Sequence, residues 1–90
     1  MKKILLLKFF GLVQGVGFRY GVKSLTLDLN LKGFVKNLDD GSVEVVIEGE
    51  EQDLKEFLAK IRQNFSKSIK KLNLQWLESK GEFQNFEIKF

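Results

Sequence analysis

The chain has 90 residues, 43% of them hydrophobic, which is enough for a single domain over residues 1–90 and too few for two. It has no cysteine and no histidine, so disulfides, thiolate chemistry and histidine-based catalysis or metal binding are excluded. Its net charge of +3 comes from basic residues scattered among twelve acidic ones, and we therefore expect no nucleic-acid partner.

The first predicted element is a buried β-strand over residues 4–10, where nearly every side chain is apolar. This segment is far shorter than the roughly 20 residues that a membrane-spanning helix needs. Lys2 and Lys3 precede it as in a signal peptide, but no small-residue cleavage site follows. We therefore expect a cytoplasmic protein that does not associate with membranes.

The stretch GLVQGVGFRY, residues 11–20, follows this strand and contains three glycines. A helix is predicted over about residues 19–30, because apolar side chains recur there at helical spacing. Backbone N–H groups at a helix N-terminus bind anions, and Gly15 and Gly17 would let successive amides point towards one ligand. Arg19 can add a bidentate fork, so we predict a phosphate or carboxylate site. The alternative is a tight turn followed by a surface arginine.

A β-hairpin is predicted next, with strands over residues 32–38 and 42–48 that are joined by an Asp-Gly turn. Asp39 and Asp40 at its tip are interpreted as solvated charges. A second helix then begins in an acidic run that favours its N-terminus.

Two further strands are predicted from alternating apolar side chains. These side chains are Leu72, Leu74 and Trp76 in the fourth strand and Phe86, Ile88 and Phe90 in the fifth. Aromatic residues on the apolar faces are assigned to the core: Phe57, Phe65, Trp76, Phe86 and Phe90.

The order strand, helix, strand, strand, helix, strand predicts an α+β (α/β) domain of the ferredoxin-like βαββαβ type. Its two helices would lie on one face of a mostly antiparallel sheet, forming a two-layer sandwich. The short extra C-terminal strand would either extend the sheet or pair at its edge. Many unrelated activities use this fold, so the function has to be argued from the site.

Two sequence blocks carry a resemblance to a known family. Residues 11–19 read G-L-V-Q-G-V-G-F-R, and residues 33–37 read G-F-V-K-N ahead of an Asp-Gly turn and a Val-Glu pair. Both blocks resemble the acylphosphatases, whose N-terminal signature is G-x-V-Q-G-V-G-F-R. The similarity extends over essentially the whole chain, including the spacing of both helices.

The resemblance implies an enzyme that hydrolyses acyl phosphates, giving a carboxylate and inorganic phosphate. It implies that Arg19 binds the phosphoryl group and that Asn37 orients the attacking water. The residues implied to cradle the phosphate through backbone N–H groups are Gln14, Gly15, Val16, Gly17 and Phe18. We expect a monomer whose partners are the acyl phosphate substrate and phosphate, with no metal and no cofactor.

Asn37 also has a plainer interpretation, because an asparagine just before a turn is commonly a local turn former. The turn already contains Asp39, Asp40 and Gly41, and the family motif has its functional asparagine at this position. These two points favour the catalytic interpretation.

Two positions depart from residues common in the family. Leu12 stands where a polar or basic residue is frequent, and Phe90 stands where many members have tyrosine. Neither change falls on Arg19 or Asn37, so they bear on substrate preference rather than on the class of reaction.

Three alternatives remain at this point. The same domain type begins the hydrogenase-maturation carbamoyl-transfer proteins. In those proteins a proline tends to follow the arginine, whereas Tyr20 follows Arg19 in this chain. The length of 90 residues also favours a free-standing enzyme. An RNA-recognition module shares the element order, but the strand over residues 42–48 has no aromatic side chain for base stacking. A phosphate-sensing domain would bind the anion without turnover.

Overall fold

The computed structural model describes residues 1–15 and 17–89. The described part contains, in chain order, β1 (Lys2–Gly11), α1 (Phe18–Asp28), β2 (Lys32–Asn37), β3 (Val43–Glu50), α2 (Glu51–Asn64), β4 (Ile69–Glu78) and β5 (Phe86–Lys89). The strands form one sheet in the order β4-β1-β3-β2-β5. All neighbours pair antiparallel except β2 and β5, which are parallel. The predicted ferredoxin-like sandwich is confirmed, with β5 extending the sheet.

Two residues of the sequence predictions, Val16 and Phe90, lie outside the described residues. Val16 was assigned to the phosphate cradle, and Phe90 to the last strand and to the core. No helix in the described ranges is long and apolar enough to cross a membrane.

The main core lies between the helices and one face of the sheet, where alternating β1 residues such as Leu5, Leu7 and Phe9 meet the apolar stripe of α2. Phe18 packs edge-to-face against Phe9, with ring centroids 5.0 Å apart. It makes a similar contact with Phe65 at 4.8 Å. These contacts fix the first turn of α1 against the sheet and therefore fix the loop that precedes it.

Helix α1 ends at Asp28 rather than at the predicted Asn30. Asn30 adopts a left-handed conformation with φ of 55°. Its N–H donates to Leu27 O at 3.3 Å, and the N–H of Leu31 donates to Thr26 O at 2.8 Å. This is the hydrogen-bond pattern of a Schellman motif, in which a left-handed residue ends the helix and directs the chain into the next strand.

The prediction that Trp76 belongs to the core is wrong, because its side chain is 37% exposed. Trp76 pairs with the fully buried Leu5 and so lies on the helix-covered side of the sheet. However, β4 is an edge strand, and the helices pack chiefly over the other four strands. Alternation of apolar residues predicts which face a side chain occupies, but it does not predict how far the helix layer extends.

The other face of the sheet is partly covered by the segment that connects β4 to β5. The carboxylate of Glu48 accepts hydrogen bonds from the Ser79 hydroxyl at 2.6 Å and from the N–H groups of Lys80 and Gly81, both at 3.0 Å. Burial alone would raise the pKa of Glu48, but these hydrogen bonds lower it overall. Glu48 thus anchors the segment that leads into β5.

Candidate active site

The loop before α1 is held at both ends by buried side chains. Val13 and Phe18 belong to the core and are each 1% exposed. Between them, Gly15 and Gly17 have φ values of 76° and 77°, a conformation that L-residues with side chains rarely adopt. A Cβ at either glycine would meet no atom within 4 Å, so the backbone conformation rather than crowding requires glycine there.

The N-terminus of α1 has no side-chain cap. Gly17 is the N-cap residue and makes no side-chain hydrogen bond, and the first turn carries no acidic residue. The first N–H groups of a helix have no partner within the helix and carry partial positive charge. This end of α1 is therefore suited to an anion.

Arg19 is the second residue of α1 and lines a pocket of about 240 Å³ together with Gly15, Gly17 and Tyr20. Its Nη1 lies 3.5 Å from the backbone oxygen of Lys89, to which it donates. This contact with β5 is not predicted by the sequence. No motif indicates it, because it depends on the parallel pairing of the last strand with β2.

The parallel pairing of β5 with β2 also brings Arg19 to the end of the sheet where Asn37 lies. Lys89 on β5 lies opposite Lys36 on β2, and Asn37 is the next residue and the last of that strand. Parallel strands lie about 4.8 Å apart, so the end of β5 brings the guanidinium of Arg19 towards the end of β2. The two predicted catalytic side chains therefore occupy the same end of the sheet.

Asn37 lies on the helix-covered face, because it pairs with the buried core residue Val43. Its Oδ1 is buried and accepts no hydrogen bond from the residues that the structure describes. Buried polar atoms usually have partners, so an amide oxygen that lacks one among the described residues is a candidate acceptor for a ligand or a water.

The local turn former is Asp40 rather than Asn37. The Asp40 carboxylate accepts hydrogen bonds from the N–H and the hydroxyl of Ser42, and it lies 3.1 Å from Lys8 Nζ. The Ser42 hydrogen bonds, followed by the Lys8 interaction, lower the pKa of Asp40 to about 2. Asp40 is exposed, as the sequence predicts for a solvated charge, and it also holds the turn through Ser42.

Gln14 connects the glycine loop to the β2–β3 turn. Its Nε2 donates to the backbone oxygens of Leu38 at 2.8 Å and Ser42 at 3.0 Å. The resemblance implied only a backbone role for this residue. The sequence could not reveal these side-chain contacts, because both acceptors are main-chain atoms that leave no pattern in the residue types.

Comparisons with known proteins find a matching family, similar sequences and similar solved structures. The acylphosphatase family model matches residues 6–88. An acylphosphatase from Caldanaerobacter subterraneus subsp. tengcongensis is 42% identical over 89 residues, covering 98% of this chain and 99% of that protein. The crystal structure of acylphosphatase from Bacillus subtilis covers all of both chains with a TM-score of 0.86 and 33% identity. A full-length HypF structure, bound to phosphate and nucleotide, is 34% identical with a TM-score of 0.91, and the match spans 12% of that chain.

Proposed function

The chain belongs to the acylphosphatase family, and we propose that Arg19, Asn37 and the backbone of residues 14–18 form its active site. The enzyme hydrolyses acyl phosphates, cleaving the carboxyl–phosphate bond to give a carboxylate and inorganic phosphate. The observation that carries the site proposal is the pocket shared by Gly15, Gly17 and Arg19 at the uncapped start of α1.

Arg19 and the loop backbone bind the phosphoryl group in this proposal. The guanidinium offers two parallel N–H donors to two phosphoryl oxygens, and the loop N–H groups and the helix N-terminus bind the remaining charge. The contact of Arg19 with Lys89 O supports this role, because it directs the side chain across the end of the sheet. Phosphoryl transfer through a loose transition state requires chiefly such positioning and charge stabilisation.

Asn37 orients the attacking water through its amide oxygen. The buried Oδ1, which has no partner among the described residues, supports this role, because it can accept one hydrogen from a water and direct the lone pair of that water at phosphorus. The water needs no protein base if its proton passes to a phosphate oxygen, as is proposed for the family. The leaving carboxylate has a conjugate acid of pKa about 4, so it departs without a protein acid.

The proposal retains two further expectations from the sequence, a cytoplasmic location and a monomeric working unit. The substrate is a small-molecule acyl phosphate, and the product that stays in the cradle is inorganic phosphate.

Replacing Asn37 tests the assignment of the water-orienting residue. Asn37→Ala should lower kcat for benzoyl phosphate by about 100-fold or more, the scale seen when one oriented polar group leaves an active site. Competitive inhibition by inorganic phosphate should stay unchanged, because the cradle is intact. The matched control is Asn73→Ala, at an exposed asparagine on β4. An unchanged kcat in Asn37→Ala would contradict the assignment.

A further inference from the structure

The side chain of Gln14 crosslinks two segments that the proposed mechanism uses separately. Gln14 lies in the phosphate-binding loop, and Leu38 and Ser42 bracket the turn that follows Asn37. One amide nitrogen donates to both backbone oxygens, at 2.8 Å and 3.0 Å. The crosslink thus joins the loop to the residue directly after Asn37.

The turn itself is closed by its own backbone. Leu38 N–H donates to Ser42 O at 2.9 Å, and Gly41 N–H donates to Leu38 O at 3.1 Å. Each carbonyl that Gln14 contacts therefore keeps a main-chain partner when Gln14 is removed. Loss of the Gln14 amide should leave the turn formed but free to shift relative to the loop.

We propose that Gln14 is a positioning residue that sets the distance between the phosphate-binding loop and the amide of Asn37. This inference rests on the proposed function and deepens it. In-line attack requires the water and the phosphoryl group to be aligned, and small misplacements of a catalytic group reduce the rate strongly. The backbone N–H groups of the loop bind the phosphate, whereas the Gln14 side chain aligns the hairpin with that phosphate.

The chemistry of the contact requires a neutral carboxamide. Both acceptors are carbonyl oxygens, so two N–H donors are needed at one point. The ionised carboxylate of a glutamate at position 14 would place negative charge next to both carbonyl oxygens and would have no proton to donate. A protonated carboxyl group would supply one O–H donor and restore part of the contact.

A double-mutant cycle with Asn37 tests the positioning role. Gln14→Met keeps the length of the side chain and removes both donors. We expect it to lower kcat about 10-fold in the wild-type background and less than 2-fold in the Asn37→Ala background, since no amide remains to be aligned. The inhibition constant of inorganic phosphate should change less than 2-fold in either background. Gln63→Met, at an exposed glutamine of α2, is the matched control.

The pH profile of Gln14→Glu tests whether the contact depends on a hydrogen-bond donor at this position. Its kcat relative to wild type should rise as the pH falls through the pKa of the introduced carboxyl group, because protonation creates one donor. Gln14→Met should show a constant ratio to wild type over the same range. A constant ratio in Gln14→Glu would overturn the donor role.

The remaining outcomes separate this inference from the function on which it rests. Equal kcat losses for Gln14→Met in both backgrounds, or a loss confined to phosphate affinity, would overturn the inference and leave the site proposal standing. Full activity in Asn37→Ala would overturn the site proposal and the inference with it. The unfolding midpoint of each variant, followed by Trp76 fluorescence, shows whether a loss of activity reflects a loss of fold.

Discussion

Asp40 and Asn37 are close in sequence, yet the structure gives them different tasks. The Asp40 carboxylate holds Ser42 and so shapes the β2–β3 turn, whereas the Asn37 amide oxygen has no hydrogen-bond partner among the described residues. Because Asp40 makes the turn contacts, the proposed role of Asn37 in orienting water does not compete with them. Gly15 and Gly17 supply the loop conformation, and the proposed anion ligands are the loop amides and Arg19.

The lowered pKa of Asp40 predicts how stability depends on pH. Its pKa is about 2 in the folded protein and 3.8 in a model peptide, so its contribution is fully present above pH 4 and is lost as the pH falls towards 2. The difference in unfolding free energy between wild type and Asp40→Asn should therefore shrink between pH 4 and pH 2. Urea unfolding followed by Trp76 fluorescence measures it, and a constant difference across this range would contradict the assigned turn contacts.

At the scale of elements, β5 provides a hydrogen-bond acceptor for Arg19. This strand of four residues pairs parallel with β2 and presents Lys89 O to Arg19 Nη1. The segment that leads into β5 is anchored on the sheet by Glu48. A carboxylate on β3 therefore contributes to the placement of the C-terminal strand.

Removing the Glu48 anchor should destabilise the protein. Glu48→Ala deprives the Ser79 hydroxyl and two backbone N–H groups of their charged acceptor, which should lower the unfolding free energy by about 2 kcal/mol. Glu87→Ala, at an exposed glutamate of β5, should change it by less than about 0.5 kcal/mol. Chemical denaturation of both variants is the measurement. Equal effects would show that Glu48 does not anchor the segment.

At the scale of the whole molecule, the sequence predicts the order of the helices and strands and which strand residues face the helices. Both follow from the local periodicity of apolar residues. A nearly continuous apolar run locates β1, alternating apolar residues locate β3, and the glycine stretch marks the start of α1. The two blocks that resemble the acylphosphatases also point to Arg19 and Asn37.

Features that depend on long-range geometry could not be predicted in this way. The exposure of Trp76 depends on how far the helix layer extends over the edge strand. The contacts of Glu48 and Gln14 are made largely to backbone atoms, which every residue type carries. Such contacts leave no trace in the spacing of residue types along the chain.

The most direct test of the account is the hydrolysis of benzoyl phosphate in the presence of a chelator. Wild type should turn over without added metal, and Arg19→Ala should lose both turnover and phosphate binding. Arg19→Lys should recover little, because it lacks the planar fork. Arg62→Ala, at the exposed second arginine on α2, should retain wild-type activity. Loss of wild-type turnover in chelator, or full activity in Arg19→Ala, would contradict a metal-independent site built on Arg19.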